Sequence, residues 1–241
     1  MKAWIRRLAP ALLLAAASTA AASTFNISPI RAELGGIHRM DVLTLTNVDD
    51  NPVVIEVRVV KWSQNDGADQ LADTRDILAT PPVLQIPAHG EQIIRVALRR
   101  APDPGRELTY RIIFQEVPQA APKDFTGLRV ALRLSVPVFV APTGHEAAAA
   151  ITWHAEWLAD GRLQIDAANA GTGHLQVTDF DVQMAHAAEP LHAITAQYVL
   201  PGSRMHWTLK APAGTDRHAP IAIHGHSDQG DFSADVAISG S

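Results

Sequence analysis

With 241 residues the chain has room for one large or two medium domains, and 47% apolar against 19% charged residues is an ordinary globular balance, rich enough to build real cores. A formal net charge of -5 excludes whole-molecule attraction to nucleic acid or an anionic membrane. The absence of cysteine excludes thiol nucleophiles, redox motifs and cysteine-held zinc, so packing alone must hold the fold.

The first segment reads as an export signal. Lys2, Arg6 and Arg7 make a positive start, residues 8–17 are a short apolar run, and Ala20-Ala21-Ala22 closes it with small residues. That layout predicts a secretory signal peptide over 1–22, the alternative being an uncleaved anchor. From there the chain is a series of short strands and turns. Residues 24–34 end at Gly35-Gly36. Residues 41–46 alternate, with Val42, Leu43 and Leu45 apolar, and Asn47 to Pro52 form a turn cluster. In residues 53–60, Val53, Ile55, Val57 and Val59 share one face. Thr80-Pro81-Pro82 opens a strand at 83–86, a turn through Pro87 and Gly90 leads into 91–98, and a long strand at 108–117 stops at Pro118. The next strand spans 128–140. Helical periodicity is absent over any useful length.

A boundary falls at Ala141-Pro142-Thr143-Gly144, after which histidines become common and arginines scarce. Strands are predicted again at 151–157, 163–168, 176–184, 193–200, 205–209 and 221–224, with Asp160-Gly161 as a hairpin turn. The reading is all-β: two immunoglobulin-like β-sandwich domains in tandem, at 23–141 and 142–241, each of about 100 residues.

The first domain resembles the periplasmic chaperones of pilus assembly, the PapD-like family. The resemblance rests on Ile27-Ser28-Pro29-Ile30-Arg31, on the turn from Asn47 to Pro52, and on Thr80-Pro81-Pro82 with Pro87, Gly90 and Arg95. It continues through Glu107 to Tyr110, Gln115-Glu116-Val117-Pro118 and Phe139-Val140-Ala141-Pro142. It implies a chaperone in the periplasm that caps a pilus subunit, a partner lacking its last strand, by lending it a strand of its own, and that delivers the subunit to an outer-membrane usher. It implies no enzymatic chemistry and no cofactor.

On that resemblance the donor strand carries Leu128, Val130, Leu132, Leu134 and Val136, alternating with Arg129, Ala131, Arg133 and Ser135. A donor strand needs an apolar residue at every second position to fill the partner's groove, and its members Leu128, Val130 and Leu132 are then expected to face outward in the free protein. An ordinary sandwich strand shows the same alternation. The family holds the subunit's terminal carboxylate with a cation pair. Arg31 matches the first. Pro137 stands where the second, a lysine, is expected, so Arg133, or else Arg111 or Arg129, is the stand-in. An interdomain charge network is implied for Arg95, Glu107 and Asp228, which without the resemblance are two surface charges and a turn aspartate.

Catalytic signatures are missing: there is no nucleophile elbow, P-loop, dinucleotide fingerprint or HExxH. Glu91, Glu107 and Glu116 sit on strands with nothing joining them for acid–base work. His224 and His226, at i and i+2, with His186 and His192, offer a metal-binding alternative to plain exposed polar positions. A secreted two-domain adhesin or scaffold is the other reading.

Overall fold

The computed structural model describes residues 25–118, 130–185, 189–212, 214–236 and 238–239. Among them there is no helix, hence none long and apolar enough to cross a membrane. The leader reading of 1–22, the donor position Leu128, and Arg129 and His186 lie outside the described residues.

The first ten strands are β1 (Phe25–Ser28), β2 (Ala32–Gly35), β3 (Met40–Asn47), β4 (Val53–Asn65), β5 (Ala68–Asp73), β6 (Ile77–Thr80), β7 (Val83–Ile86), β8 (Glu91–Leu98), β9 (Leu108–Glu116) and β10 (Arg133–Ala141). They form two sheets, β1-β3-β8-β6 and β2-β10-β9-β4-β5, with β7 also paired to β4. The period-two pattern decides which faces meet. In β4, Val53, Ile55 and Val57 are buried while Glu56 and Arg58 are exposed, and the buried set packs against Leu43, Leu45, Ile94 and Val96 of the facing sheet. Each such fully buried aliphatic side chain contributes roughly 1.5–3 kcal/mol.

The remaining strands are β11 (Ile151–Trp157), β12 (Leu163–Asn169), β13 (Leu175–Met184), β14 (Leu191–Val199), β15 (Arg204–Leu209), β16 (Ile221–Ser227), β17 (Gly230–Val236) and β18 (Ile238–Ser239). Their sheets, β15-β12-β11-β18 and β14-β13-β16-β17, enclose a second core around Ile165, Val177, Phe180, Val182 and Ile223. The molecule is thus two immunoglobulin-like β-sandwiches.

Both sandwiches use a buried asparagine to close a turn. The Asn47 amide donates to the carbonyls of Asn51 and Pro87, and its Oδ1 accepts from the Asp49 N–H. Asn169 donates to Gly173 and Val199 and accepts from Ala150 and Gly171. In each case one amide satisfies backbone groups that the turn would otherwise leave unpaired.

The structure redraws several strand boundaries. The segment read as one strand over 24–34 breaks after Ser28: β1 pairs with β3 in one sheet and β2 runs parallel to β10 in the other. β10 begins at Arg133, not at 128. Strands β5, β6, β17 and β18 are additional to those expected from the sequence. β5 reads ADQLAD, exposed at every position, so no buried face marks it; it exists because Asp66 (φ 48°) and Gly67 (φ 72°) turn the chain back along β4.

Candidate functional site: the junction of the sandwiches

The two sandwiches meet around an aromatic and ionic cluster. From the first come Arg31, in the link between β1 and β2, Trp62 and Gln64 on β4, Glu107 just before β9, Arg111 on β9 and Phe139 on β10. From the second come His174 before β13, Tyr198 on β14, Leu200, and Asp228 in the turn between β16 and β17.

The apolar part is Trp62, Phe139 and Leu200, all buried, with Tyr198 packed against them. Trp62 and Tyr198 meet edge to face with centroids 5.4 Å apart, and the His174 ring stacks on Phe139 at 3.6 Å and 8°. Polar ties surround the rings. The Gln64 amide donates to the Tyr198 carbonyl at 2.8 Å and accepts from the Leu200 N–H at 3.0 Å, and the Glu107 N–H donates to the Thr172 carbonyl at 2.9 Å.

The ionic part is a chain of four groups. His174 Nδ1 lies 2.8 Å from Glu107 Oε1, its Nε2 lies 3.5 Å from Asp228 Oδ2, and the same Asp228 oxygen accepts from Arg31 at 3.1 Å. Arg31 also pairs with Glu33 at 3.3 Å. The β16–β17 turn fixes how Asp228 is aimed. Its other oxygen accepts from the Gln176 N–H at 2.9 Å, which leaves Oδ2 to face the cations. Burial opposes charge on His174, but hydrogen bonds to Asp228 and Glu107 outweigh it and raise the ring's pKa to about 9. Burial likewise works against the Asp228 carboxylate, yet the His174 ring and the Gln176 N–H hold its pKa below the ordinary value.

Glu107 and Asp228 therefore come together, linked through His174. Arg95 does not join them. It is exposed on β8, its backbone flanked by Val42 and Thr80 in the other sheet, and makes no ion pair among the described residues. The expected network of Arg95, Glu107 and Asp228 is corrected to Glu107, His174, Asp228 and Arg31. Glu107 closes the first sandwich toward the second, whereas Arg95 lies mid-strand on β8 in the sheet β1-β3-β8-β6.

Strand β10 has two unlike halves. Residues Val138–Val140 are paired on both sides, by β9 and by β2, and Ala141 by β2, whereas Arg133–Pro137 are paired to β9 alone. Their second edge has no partner among the described residues. The alternating set is divided as well. Val130 is 52% exposed, Leu132 and Leu134 pack against the first core, and Val136 belongs to it at 5% exposure. The outward orientation expected of Leu132 is therefore corrected: it rests on this protein's own core and exchanges hydrogen bonds with Glu116.

Residues 24–146 match the family model of the pili and flagellar-assembly chaperone, PapD N-terminal domain, 123 of the 241 positions. The chain belongs to this family of chaperones. Solved structures share its fold. The CsuC–CsuE chaperone–tip adhesion subunit pre-assembly complex of Acinetobacter baumannii matches with TM-score 0.67 at 19% identity, over 90% of this chain and 99% of that one. The YadV chaperone matches with TM-score 0.62 at 20% identity, over 88% and 98%. The Salmonella enterica SafA pilin in complex with the SafB chaperone matches with TM-score 0.59 at 15% identity, over 88% and 96%. A search of curated protein sequences finds no match.

In this chaperone the stand-in for the missing lysine, Arg133, is exposed at the start of β10 opposite Gln115, four residues or about 13 Å along the strand from Pro137. Directly opposite Pro137 is Arg111. Its guanidinium lies 3.7 Å over the Trp62 ring. Sequence reasoning missed His174, Trp62 and Tyr198. A lone histidine in a Gly-Thr-Gly-His loop carries no local signal, because both carboxylates that define it come from distant positions.

Two rings of the metal alternative are already engaged. His192 pairs with Asp181 at 2.7 Å and His226 with Asp179 at 2.8 Å on the open face of the sheet β14-β13-β16-β17. Among the described residues, no group of three such side chains is placed to hold a metal ion.

Proposed function

We propose that this chaperone works in the periplasm, reached through the leader at 1–22. There it caps a pilus subunit by donor-strand complementation and passes it to an outer-membrane usher. The observation that carries the reading is the edge of β10 over Arg133–Pro137, which has no partner among the described residues and leads to the junction where Arg31 stands. An unpaired edge offers main-chain groups to an incoming strand, and the apolar seam beside it offers side chains to an incomplete core. The 37% exposure that Arg31 keeps beside its pairs with Asp228 and Glu33 supports a role in receiving the subunit's terminal carboxylate. The recruited edge starts at Val130, so the strand lends its exposed beginning while Leu132, Leu134 and Val136 join the two cores along a shared seam.

The test is co-expression with a pilin-like subunit. The wild-type chain should yield a soluble 1:1 complex. Val130→Asp should melt at the wild-type temperature and capture nothing, because Val130 is exposed. Val136→Asp, which buries an unpaired carboxylate in the first core, should fail to fold, at a cost of several kcal/mol. Normal capture by Val130→Asp would remove this segment from the donor role.

A further inference from the structure

Strand β4 is longer than the sheet it belongs to. It pairs with β9 over residues 55–61, and from 62 to 65 its ladder partner among the described residues is β5 alone. The two strands run on as a two-stranded ribbon closed by Asp66 and Gly67, both at positive φ as a two-residue hairpin turn requires. A ribbon of two strands is marginal in water by itself, so its order needs an outside support. Its own sandwich supplies little: across residues 63–73 every position is exposed except Gln64 and Gly67.

Those two residues are the ones that touch the second sandwich. The Gln64 amide brackets the end of β14, donating to the Tyr198 carbonyl at 2.8 Å and accepting from the Leu200 N–H at 3.0 Å. One side chain thus satisfies a backbone acceptor and a backbone donor, as a neighbouring strand would. Gly67 lies so close to the His206 ring on β15 that a Cβ there would collide with it. Asp66 lines one cavity with His154, Asp166 and Arg204, so the ribbon ends over the open face of the sheet β15-β12-β11-β18.

These contacts are separate from the ionic chain. That chain holds His174 before β13 and Asp228 in the β16–β17 turn, and it reaches Arg31 beside β2, one edge of the sheet β2-β10-β9-β4-β5. The ribbon holds β14 and β15 from β5, the opposite edge of the same sheet. Four strand spacings separate those edges, roughly 19 Å. We propose that the β4–β5 ribbon is a strap, a second attachment between the sandwiches, and that strap and ionic chain together fix the angle of the cleft. A single attachment is a hinge, whereas two set across a sheet leave no axis about which to swing. The strap also gives β5 a use that burial does not: it is the return strand of the arm.

The experiment shortens the strap in the full chain. Deleting Gln64, Asn65, Ala68 and Asp69 removes two facing pairs, about 7 Å of ribbon, and keeps the Asp66-Gly67 turn and the alternation of the remaining residues. The readout is hydrogen exchange at the Glu107 N–H, which donates to Thr172 across the junction at a place the ribbon does not touch. In the shortened chain this amide should exchange about tenfold faster or more, amides in the two cores should keep their wild-type rates, and small-angle scattering should show a broader distance distribution. A wild-type rate at Glu107 with an unchanged scattering profile would overturn the strap. Faster exchange spread evenly through both cores would overturn it as well, because β5 would then serve the first sandwich's own stability. Should the shortened chain fail to fold, Gln64→Ala removes both hydrogen bonds and leaves the ribbon whole. Several-fold faster exchange at Glu107 in that variant supports the strap, and an unchanged rate overturns it.

Discussion

His174 and His226 are built from the same parts. Each ring stands between two carboxylates, Glu107 and Asp228 for the first, Asp179 and Asp231 for the second. Each has a raised pKa: at His174 two hydrogen-bonded carboxylates prevail over burial, and at His226 the bond to Asp179 leads. They differ in where the parts come from and how wet they are. The His174 side chain is 12% exposed with partners at 6% and 14%, and it joins two sandwiches. The His226 side chain is 64% exposed and joins neighbouring strands of one sheet. Ion pairs in water are screened and contribute little, whereas a buried pair is costly to break because the survivor is left charged and desolvated. Burial, and not the count of ion pairs, makes the first site a clasp.

The largest effect that would break the comparison is charge reversal at Glu107. Glu107→Lys sets a second cation against His174 in a nearly dry setting, and breaking a buried pair this way costs about 3–5 kcal/mol. Each sandwich keeps its own core, so strand content by circular dichroism should persist while small-angle scattering shows a broader distance distribution. An unchanged scattering profile would remove the clasp.

A smaller effect follows from pH. A ring whose pKa is raised in the folded state adds stability that is fully present below its unfolded pKa, 6.5, and is lost as pH rises through about 9. The Asp228 pKa is lowered, so its contribution is present above 3.8 and is lost as pH falls below it. The junction should be tightest between about pH 4 and 6.5 and should loosen on the alkaline side, by an amount on the order of 3 kcal/mol. Scattering or hydrogen exchange at Leu200 N–H across pH 6 to 10 checks this. His174→Gln should flatten the alkaline arm. An arm that survives in His174→Gln belongs to another group.

The contrast also shows what a sequence makes legible. The alternation in 53–60 and the turn at Asn47 to Pro52 mark the first sandwich because their physics is local: period-two burial and side-chain-to-backbone hydrogen bonds. Arg31, Glu107 and Asp228 are reached by likeness to the family, and they do gather at one place. His174, Trp62 and Tyr198 are invisible because their roles depend on partners tens to more than a hundred positions away. Arg95 is misplaced for the same reason: being on a strand near a match does not say which way its sheet faces. Strand β5 goes unseen because it buries no side chain, although the Asp66-Gly67 turn is there to be read.

The smallest predicted effect is the counterpart to Glu107. His226→Ala removes a ring that bonds to Asp179 at 2.8 Å, a shorter ion contact than several at the junction. If distance alone ruled, the loss would be felt. The surrounding geometry says otherwise. Asp231 is 87% exposed, Asp179 at 25% opens to water when the ring leaves, and the β13–β16 ladder keeps its backbone pairing, so no charge is stranded in a dry place. The melting temperature and the scattering profile should both match wild type. Salt separates the two histidines further. Raising ionic strength from low to molar shortens the screening length from about 30 Å to 3 Å, which should bring the His226 titration back toward its ordinary value while leaving that of His174 nearly in place. Imidazole titrations followed by nuclear magnetic resonance would show both rings in one sample. Equal salt sensitivity at the two sites would mean that His174 is as open to solvent as His226, and the buried clasp would lose its basis.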